Sequence, residues 1–119
     1  MTDPILQQEV DRLLTALAAQ ESFISELGTP HLAETEELDL LVALGLEVLP
    51  YLIEEMKSES PRRVAYVALV LGRLGDSRAI DPLRELKLRY QAMDAKSEWE
   101  YAVIGQCNTA IELLAHGRT

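Results

Sequence analysis

The chain has 119 residues, of which 48% are hydrophobic and 5% aromatic, with a single cysteine and a formal net charge of −9. This length suits one domain with one core, one cysteine excludes an internal disulfide framework, and the scarcity of aromatic residues argues against a β-sandwich. Because no apolar run approaches the ~20 residues of a membrane span and the first residues lack the basic start of a signal peptide, we expect a soluble, cytoplasmic protein without a membrane partner.

The first predicted helix begins at Pro4, with Asp3 as its N-cap. Its apolar residues recur at steps of three and four positions, which is typical of an amphipathic helix. The pattern allows this helix to continue to Leu27, where the Gly and Pro of residues 28–30 end it. We assign residues 1–30 to an N-terminal capping region.

A first helix hairpin is predicted over residues 31–58. Its first helix carries apolar residues on one side and stops at Gly45, and its second helix, over residues 46–57, follows with almost no linker. The first helix of this hairpin ends in the same leucine–glycine pair that recurs further along the chain.

A second helix hairpin is predicted over residues 59–92, with Ser60 as the N-cap of its first helix. Gly75 suits the left-handed conformation that closes this helix, and Asp76 suits the cap of the next one. Pro82 then falls near the start of the second helix, where a missing amide costs least.

Gly72 lies one turn before the end of the first helix of this hairpin. A glycine inside a helix costs about 1 kcal/mol relative to alanine. We therefore predict that Gly72 allows a neighbouring helix to approach closely.

A last long helix is predicted over residues 97–117, ending at Gly117. The chain shows no alternating strand pattern of useful length. We therefore predict a single all-α domain, residues 1–119, of about six helices joined by short turns.

The chain also contains an internal repeat. Residues 43–56 resemble residues 73–86, since each segment has a leucine–glycine pair, a short turn and an aliphatic residue two positions before a proline. The two leucine–glycine pairs are 30 residues apart. A fixed period of this length is typical of a repeat architecture whose unit is a helix hairpin.

Residues 67–86, VALVLGRLGDSRAIDPLREL, resemble a HEAT repeat of the short bacterial type that also occurs in phycobilisome-lyase-like proteins. Residues 32–57 resemble it more loosely, and the last helix resembles only the first half of a repeat. The resemblance implies an α-α superhelix, a right-handed stack of antiparallel hairpins whose second helices line a concave surface. It also implies a protein-binding scaffold.

No residue pattern indicates catalysis, a metal site or a cofactor. Cys107 has no neighbouring His or Cys and is expected to be a small buried hydrophobe. His31 and His116 fall near predicted helix ends, which favours capping or solvent exposure over metal binding. We therefore expect a protein that is not an enzyme.

The charge distribution bears on the kind of partner. Residues 1–56 carry twelve acidic and one basic side chain, a net of −11, whereas residues 57–119 carry eight acidic and ten basic ones, a net of +2. Nucleic-acid binding requires clustered Lys and Arg on the presenting face, so we expect no nucleic-acid partner.

Six residues are candidates for binding a protein partner. Arg84, Lys87 and Gln91 share an outward stripe of one helix, and Tyr51 is expected to continue that surface. The alternative is that these charges form ordinary surface pairs. Trp99 and Tyr101 begin the last helix and serve either as anchors for a partner or as packing residues.

The leading hypothesis is thus a non-catalytic interaction module. The last helix has no following partner in the chain, so self-association through it is a further expectation. The alternative function, suggested by the family resemblance alone, is a relative or small subunit of a phycobilin lyase, which predicts a spectral change on binding a tetrapyrrole. A nucleic-acid module like the HEAT-like DNA glycosylases conflicts with the acidic first half.

Overall fold

The computed structural model describes residues 3–19, 32, 34–94 and 96–116. These residues form six α-helices and no strand, which confirms the all-α prediction. The helices are α1 (Pro4–Ala18), α2 (Glu36–Ala43), α3 (Leu49–Glu55), α4 (Pro61–Leu74), α5 (Ile80–Gln91) and α6 (Glu98–His116). Single 3-10 turns, Gly45–Val48 and Ser77–Ala79, precede α3 and α5.

Two helices begin at the caps that the sequence predicts. The Asp3 carboxylate accepts hydrogen bonds from the amides of Ile5 and Leu6 at the start of α1, and the Ser60 hydroxyl accepts one from the Arg63 amide at the start of α4. These bonds satisfy amides that have no partner within the helix. The predicted extension of the first helix to Leu27, the end of the last helix at Gly117 and the position of His31 lie outside the described residues.

The turn between α4 and α5 has the conformation predicted for it. Gly75 adopts a left-handed φ of 77°, and the Asp76 carboxylate accepts a hydrogen bond from the Arg78 amide at 2.8 Å. Pro82 is the third residue of α5, where its missing amide has no partner to lose. Gly45 has a φ of 79° at the corresponding place after α2, so both leucine–glycine pairs end their helices in the same way.

The chain reverses direction after Gly75. Arg89, near the end of α5, donates a hydrogen bond from Nη2 to the carbonyl oxygen of Met56 at 2.8 Å, just before α4 begins. The last turn of α5 therefore returns to the start of α4, and residues 62–90 are not one continuous helix.

Helix α4 is the centre of the core. It contacts α1, α2, α3 and α6, and most of its side chains between Val64 and Leu71 are buried. Helix α3 packs on α4, and α5 packs on α6. The second helix of each predicted hairpin therefore contacts the helix that follows it in the chain.

Helices α4 and α6 approach each other closely at Gly72. A Cβ atom at this position would lie 3.0 Å from Ala110 Cβ and 3.1 Å from Ala110 Cα. This distance is shorter than ordinary van der Waals contact, so a side chain here would require Ala110 to shift by a few tenths of an ångström, and glycine permits the close approach without that shift. The predicted role of Gly72 is confirmed.

Candidate functional site

Three of the predicted binding residues lie on one face of α5. Arg84 and Gln91 are exposed, and Lys87 is half-buried. Arg84 Nη1 lies 3.6 Å from Asp81 Oδ1 in a pair whose two side chains are both largely exposed. Such pairs contribute only about 0–1 kcal/mol, so this one does not commit Arg84 to an intramolecular role.

Tyr51 does not lie on the same side of the molecule as this stripe. Its hydroxyl accepts a hydrogen bond from the Asp3 amide at 2.6 Å, so the half-buried side chain extends from α3 toward α1. Ile53, two residues later and about 200° around the helix, lines a groove with α5. The structure thus separates Tyr51 from Arg84, Lys87 and Gln91.

Trp99 is a half-buried packing residue. The guanidinium carbon of Arg62 lies 4.6 Å from the centre of its ring, and the Tyr66 ring lies 6.4 Å away. Arg62 also donates to the carbonyl oxygen of Ala18 at 3.1 Å, which joins the end of α1 to α4 and α6. These contacts agree with the packing alternative for Trp99.

Tyr101 is placed differently from Trp99, since 58% of its surface is exposed. The Lys96 ammonium lies 5.7 Å from its ring centre. Residues two positions apart on a helix point in directions about 200° apart, so Trp99 and Tyr101 do not present one joint surface.

Several basic side chains of α4 and the following turn form ion pairs within the protein. Arg73 pairs with Glu34, and Arg78 pairs with Asp76. Arg63 is 14% exposed and binds Glu55 and Asp11, and the hydrogen bond that it donates to Glu55 raises the pKa of its guanidinium. These pairs remove much of the basic character that the sequence concentrates between residues 62 and 89.

A groove of about 340 Å³ lies between α3 and α5. Four apolar side chains and three charged ones line it: Ile53, Met56, Pro82, Leu86, Lys57, Glu85 and Arg89. This volume is at the lower end of the range for ligand sites, roughly 300–1,000 Å³. We call this feature the α3–α5 groove.

A second depression of about 300 Å³ continues from the groove past the turn before α4. Lys57 and Arg89 line both depressions. Lys57 Nζ lies 2.9 Å from Glu54 Oε1, in a pair with 75% and 66% of the two side chains exposed. We call the place where the two depressions meet, at Lys57 and Arg89, the basic junction.

Sequence reasoning did not identify the α3–α5 groove or the basic junction. The groove-lining positions at the end of α3, Ile53, Met56 and Lys57, recur at helical spacing, as do Pro82, Leu86 and Arg89 of α5. The sequence shows this periodicity, but it does not show which flank of α3 faces α5 or which flank of α5 faces α3. The groove that residues of both helices line supplies that information.

Cys107 is fully buried in α6, as predicted. Desolvation raises the pKa of its thiol to about 12, so the thiol is neutral and unreactive at physiological pH. His116 is exposed in the last turn of α6. Within the described ranges, no three His, Cys, Asp or Glu side chains are grouped so as to hold a metal ion.

Comparison with protein-family models, curated proteins and solved structures finds no match to the chain. The resemblance of residues 67–86 to a HEAT repeat therefore stays a prediction. In the part of the chain that the structure describes, no helix is long and apolar enough to span a membrane.

Proposed function

We propose that the protein is a non-catalytic helical-repeat module that binds a protein partner through its second helices, α3 and α5. The proposed binding surface is the exposed side of α5 with its two flanks: the α3–α5 groove on one flank and, about 180° around the helix, the stripe of Arg84, Lys87 and Gln91 on the other. We call it the second-helix surface. The α3–α5 groove is the observation that carries the proposal.

The helix contacts support a stacked arrangement of the HEAT type. Helix α3 packs on α4 as α5 packs on α6, and α2 contacts α4 as α4 contacts α6. The same relation thus recurs from one hairpin to the next, which is how repeat proteins bury a continuous core. In such a stack the second helices form one surface, and α3 and α5 are those helices here.

The composition of the groove supports a protein as its partner. Ile53, Met56 and Leu86 provide apolar area, and Arg89 provides hydrogen-bond donors beside it. Methionine and arginine are enriched in protein interfaces, where an apolar centre is surrounded by polar side chains. The groove is open to solvent, which suits a side chain or a short segment of another protein.

Self-association through α6 stays a separate prediction. Leu113 is 50% exposed and lines a depression of about 440 Å³ with Thr109, Glu112 and His116. Gly105 and Asn108 are exposed on the same helix. The outward face of α6 therefore carries polar side chains together with the exposed Tyr101 and Leu113.

Affinity capture with matched variants tests the proposed function. The tagged wild-type chain, Arg84→Glu/Lys87→Glu and the control Arg12→Glu on α1 are each used to capture proteins from cells of the native source, followed by mass spectrometry. We expect one set of partners with the wild type and the control, and a loss of roughly tenfold or more with the double variant, because like charges oppose each other across an interface. Equal recovery by all three chains contradicts the proposal.

A further inference from the structure

We propose that the basic junction binds a carboxylate of an acidic partner segment, while a neighbouring aliphatic side chain of that segment enters the α3–α5 groove. This inference rests on the proposed function and names the chemistry of the partner. Lys57 and Arg89 are the residues that recognise the carboxylate.

Arg89 is held in a defined position at the junction. Its Nη2 donates to the Met56 carbonyl oxygen at 2.8 Å, and its guanidinium carbon lies 5.4 Å from the centre of the Tyr90 ring. A guanidinium has five N–H donors in a fixed plane, so the bonds to the Met56 carbonyl oxygen and to the Tyr90 side chain leave donors for a carboxylate. A donor group fixed in advance loses little entropy when it binds.

Lys57 supplies the second positive charge. Its side chain lines the same two depressions as Arg89. Its pair with Glu54 is exposed to solvent, and exposed pairs of this kind are weak. Displacement of Glu54 therefore costs a partner carboxylate little, and Arg89 offers that carboxylate a second contact.

The apolar part of the groove begins directly beside these two cations. Ile53, Met56, Pro82 and Leu86 line it, and its volume of about 340 Å³ admits an aliphatic side chain. Methionine is flexible and adapts to differently shaped side chains. The arrangement fits a peptide in which Asp or Glu stands near Leu, Ile or Met.

Charge complementarity decides the sign of the partner. The chain carries −9 overall and −11 over residues 1–56, so an acidic segment is repelled from most of this surface. The basic junction is a local exception to that field. Glu85 lines the groove and Glu59 lines the second depression, and both oppose a negative ligand, so removal of the Glu85 charge is expected to strengthen binding.

A random dodecapeptide library displayed on phage tests the inference with the full chain as bait. We expect selected peptides to be enriched in Asp or Glu within two positions of Leu, Ile or Met. The affinities of the selected peptides, made with a fluorescent label, are then measured against variants. Lys57→Gln is expected to weaken binding by roughly tenfold, because a hydrogen bond to a charged group is lost, and Glu85→Gln is expected to strengthen it.

Arg12→Gln is the matched control for Lys57→Gln. Arg12 pairs with Glu9 three residues earlier on α1, just as Lys57 pairs with Glu54. Because the Lys57 side chain is 75% exposed, its replacement leaves the fold intact. Arg89→Gln also breaks the bond to Met56, so its result is used only where circular dichroism shows an unchanged fold.

Three results overturn the inference: no peptide is selected, the selected peptides are basic or lack charge, or Lys57→Gln binds as well as the wild type. If binding is lost in Arg84→Gln instead, the carboxylate site is wrong but the second-helix surface stands. If no peptide is selected and affinity capture recovers no partner, the inference and the proposed function both fail.

Discussion

Arg63 on α4 and Glu55 on α3 form an ion pair in which Nε and Oε2 are 2.8 Å apart. The same guanidinium donates from Nη2 to Asp11 Oδ1 at 2.7 Å and from Nη1 to Thr15 Oγ1 at 2.9 Å, both on α1. One side chain, 14% exposed, thus connects three helices. Hydrogen bonds to charged groups contribute more than neutral ones, and partial burial reduces their screening.

We expect Arg63→Met to lower the free energy of unfolding by about 1–3 kcal/mol. Methionine retains the apolar part of the side chain, so the loss reports the polar contacts and the half-buried Glu55 carboxylate left without its partner. Urea denaturation followed by circular dichroism measures the change. The control Arg12→Met removes an exposed pair and is expected to cost under about 1 kcal/mol. Equal effects of the two substitutions contradict the role assigned to Arg63.

The close contact of α4 and α6 predicts opposite effects of alanine at two glycines. Gly72→Ala places a Cβ atom 3.0 Å from Ala110 Cβ and should destabilise the protein by roughly 1–3 kcal/mol, because the two helices must move apart. The Cβ atom added by Gly105→Ala meets no atom within 4 Å, so this substitution should stabilise the protein by up to about 1 kcal/mol through helix propensity. Thermal melts of the two variants measure both changes. A Gly72→Ala chain as stable as Gly105→Ala rules out the tight packing.

Glu100 gives a prediction for acid pH. Its carboxylate accepts hydrogen bonds from the backbone amide and the hydroxyl of Ser97, both at 2.7 Å, and these bonds lower its pKa below the ordinary 4.5. A depressed pKa in the folded state stabilises the protein above about pH 4.5, and this contribution is lost as the pH falls through the lower folded value. The start of α6 should therefore fray only below the ordinary pKa of glutamate.

NMR titration measures this directly. We expect the side-chain carboxyl carbon of Glu100 and the amide proton of Ser97 to titrate together, with a pKa below 4.5. In Glu100→Ala, the Ser97 amide should lose this transition. A Glu100 pKa at or above 4.5 contradicts the capping interaction.

The local features of the fold were predictable because they depend on residues close together in sequence. Gly75 and Asp76 specify a helix end and a helix start through backbone conformation and capping, and both act as predicted. Gly72 was also predictable, since a glycine inside an apolar helix lowers stability unless a close helix contact offsets the loss. Ser97 and Glu100 have the spacing of a capping box, so the start of α6 was also readable from the sequence.

The long-range polar contacts were not predictable from the same information. Arg63 reaches Asp11 across 52 positions, and Tyr51 reaches Asp3 across 48. Helical periodicity says which side chains point outward but not which other helix they meet. For this reason the sequence grouped Tyr51 with Arg84 and did not distinguish basic residues committed within the fold from Lys57 and Arg89 at the groove.

Site-specific photo-crosslinking tests the central claim, that a partner binds the second-helix surface. A benzophenone amino acid is placed at Glu85, which lines the α3–α5 groove, or at the exposed control position Gln8 on α1. On irradiation of living cells of the native source, the account predicts a discrete crosslinked product from position 85 and none from position 8. A product from position 8 alone, or none from either position, contradicts it.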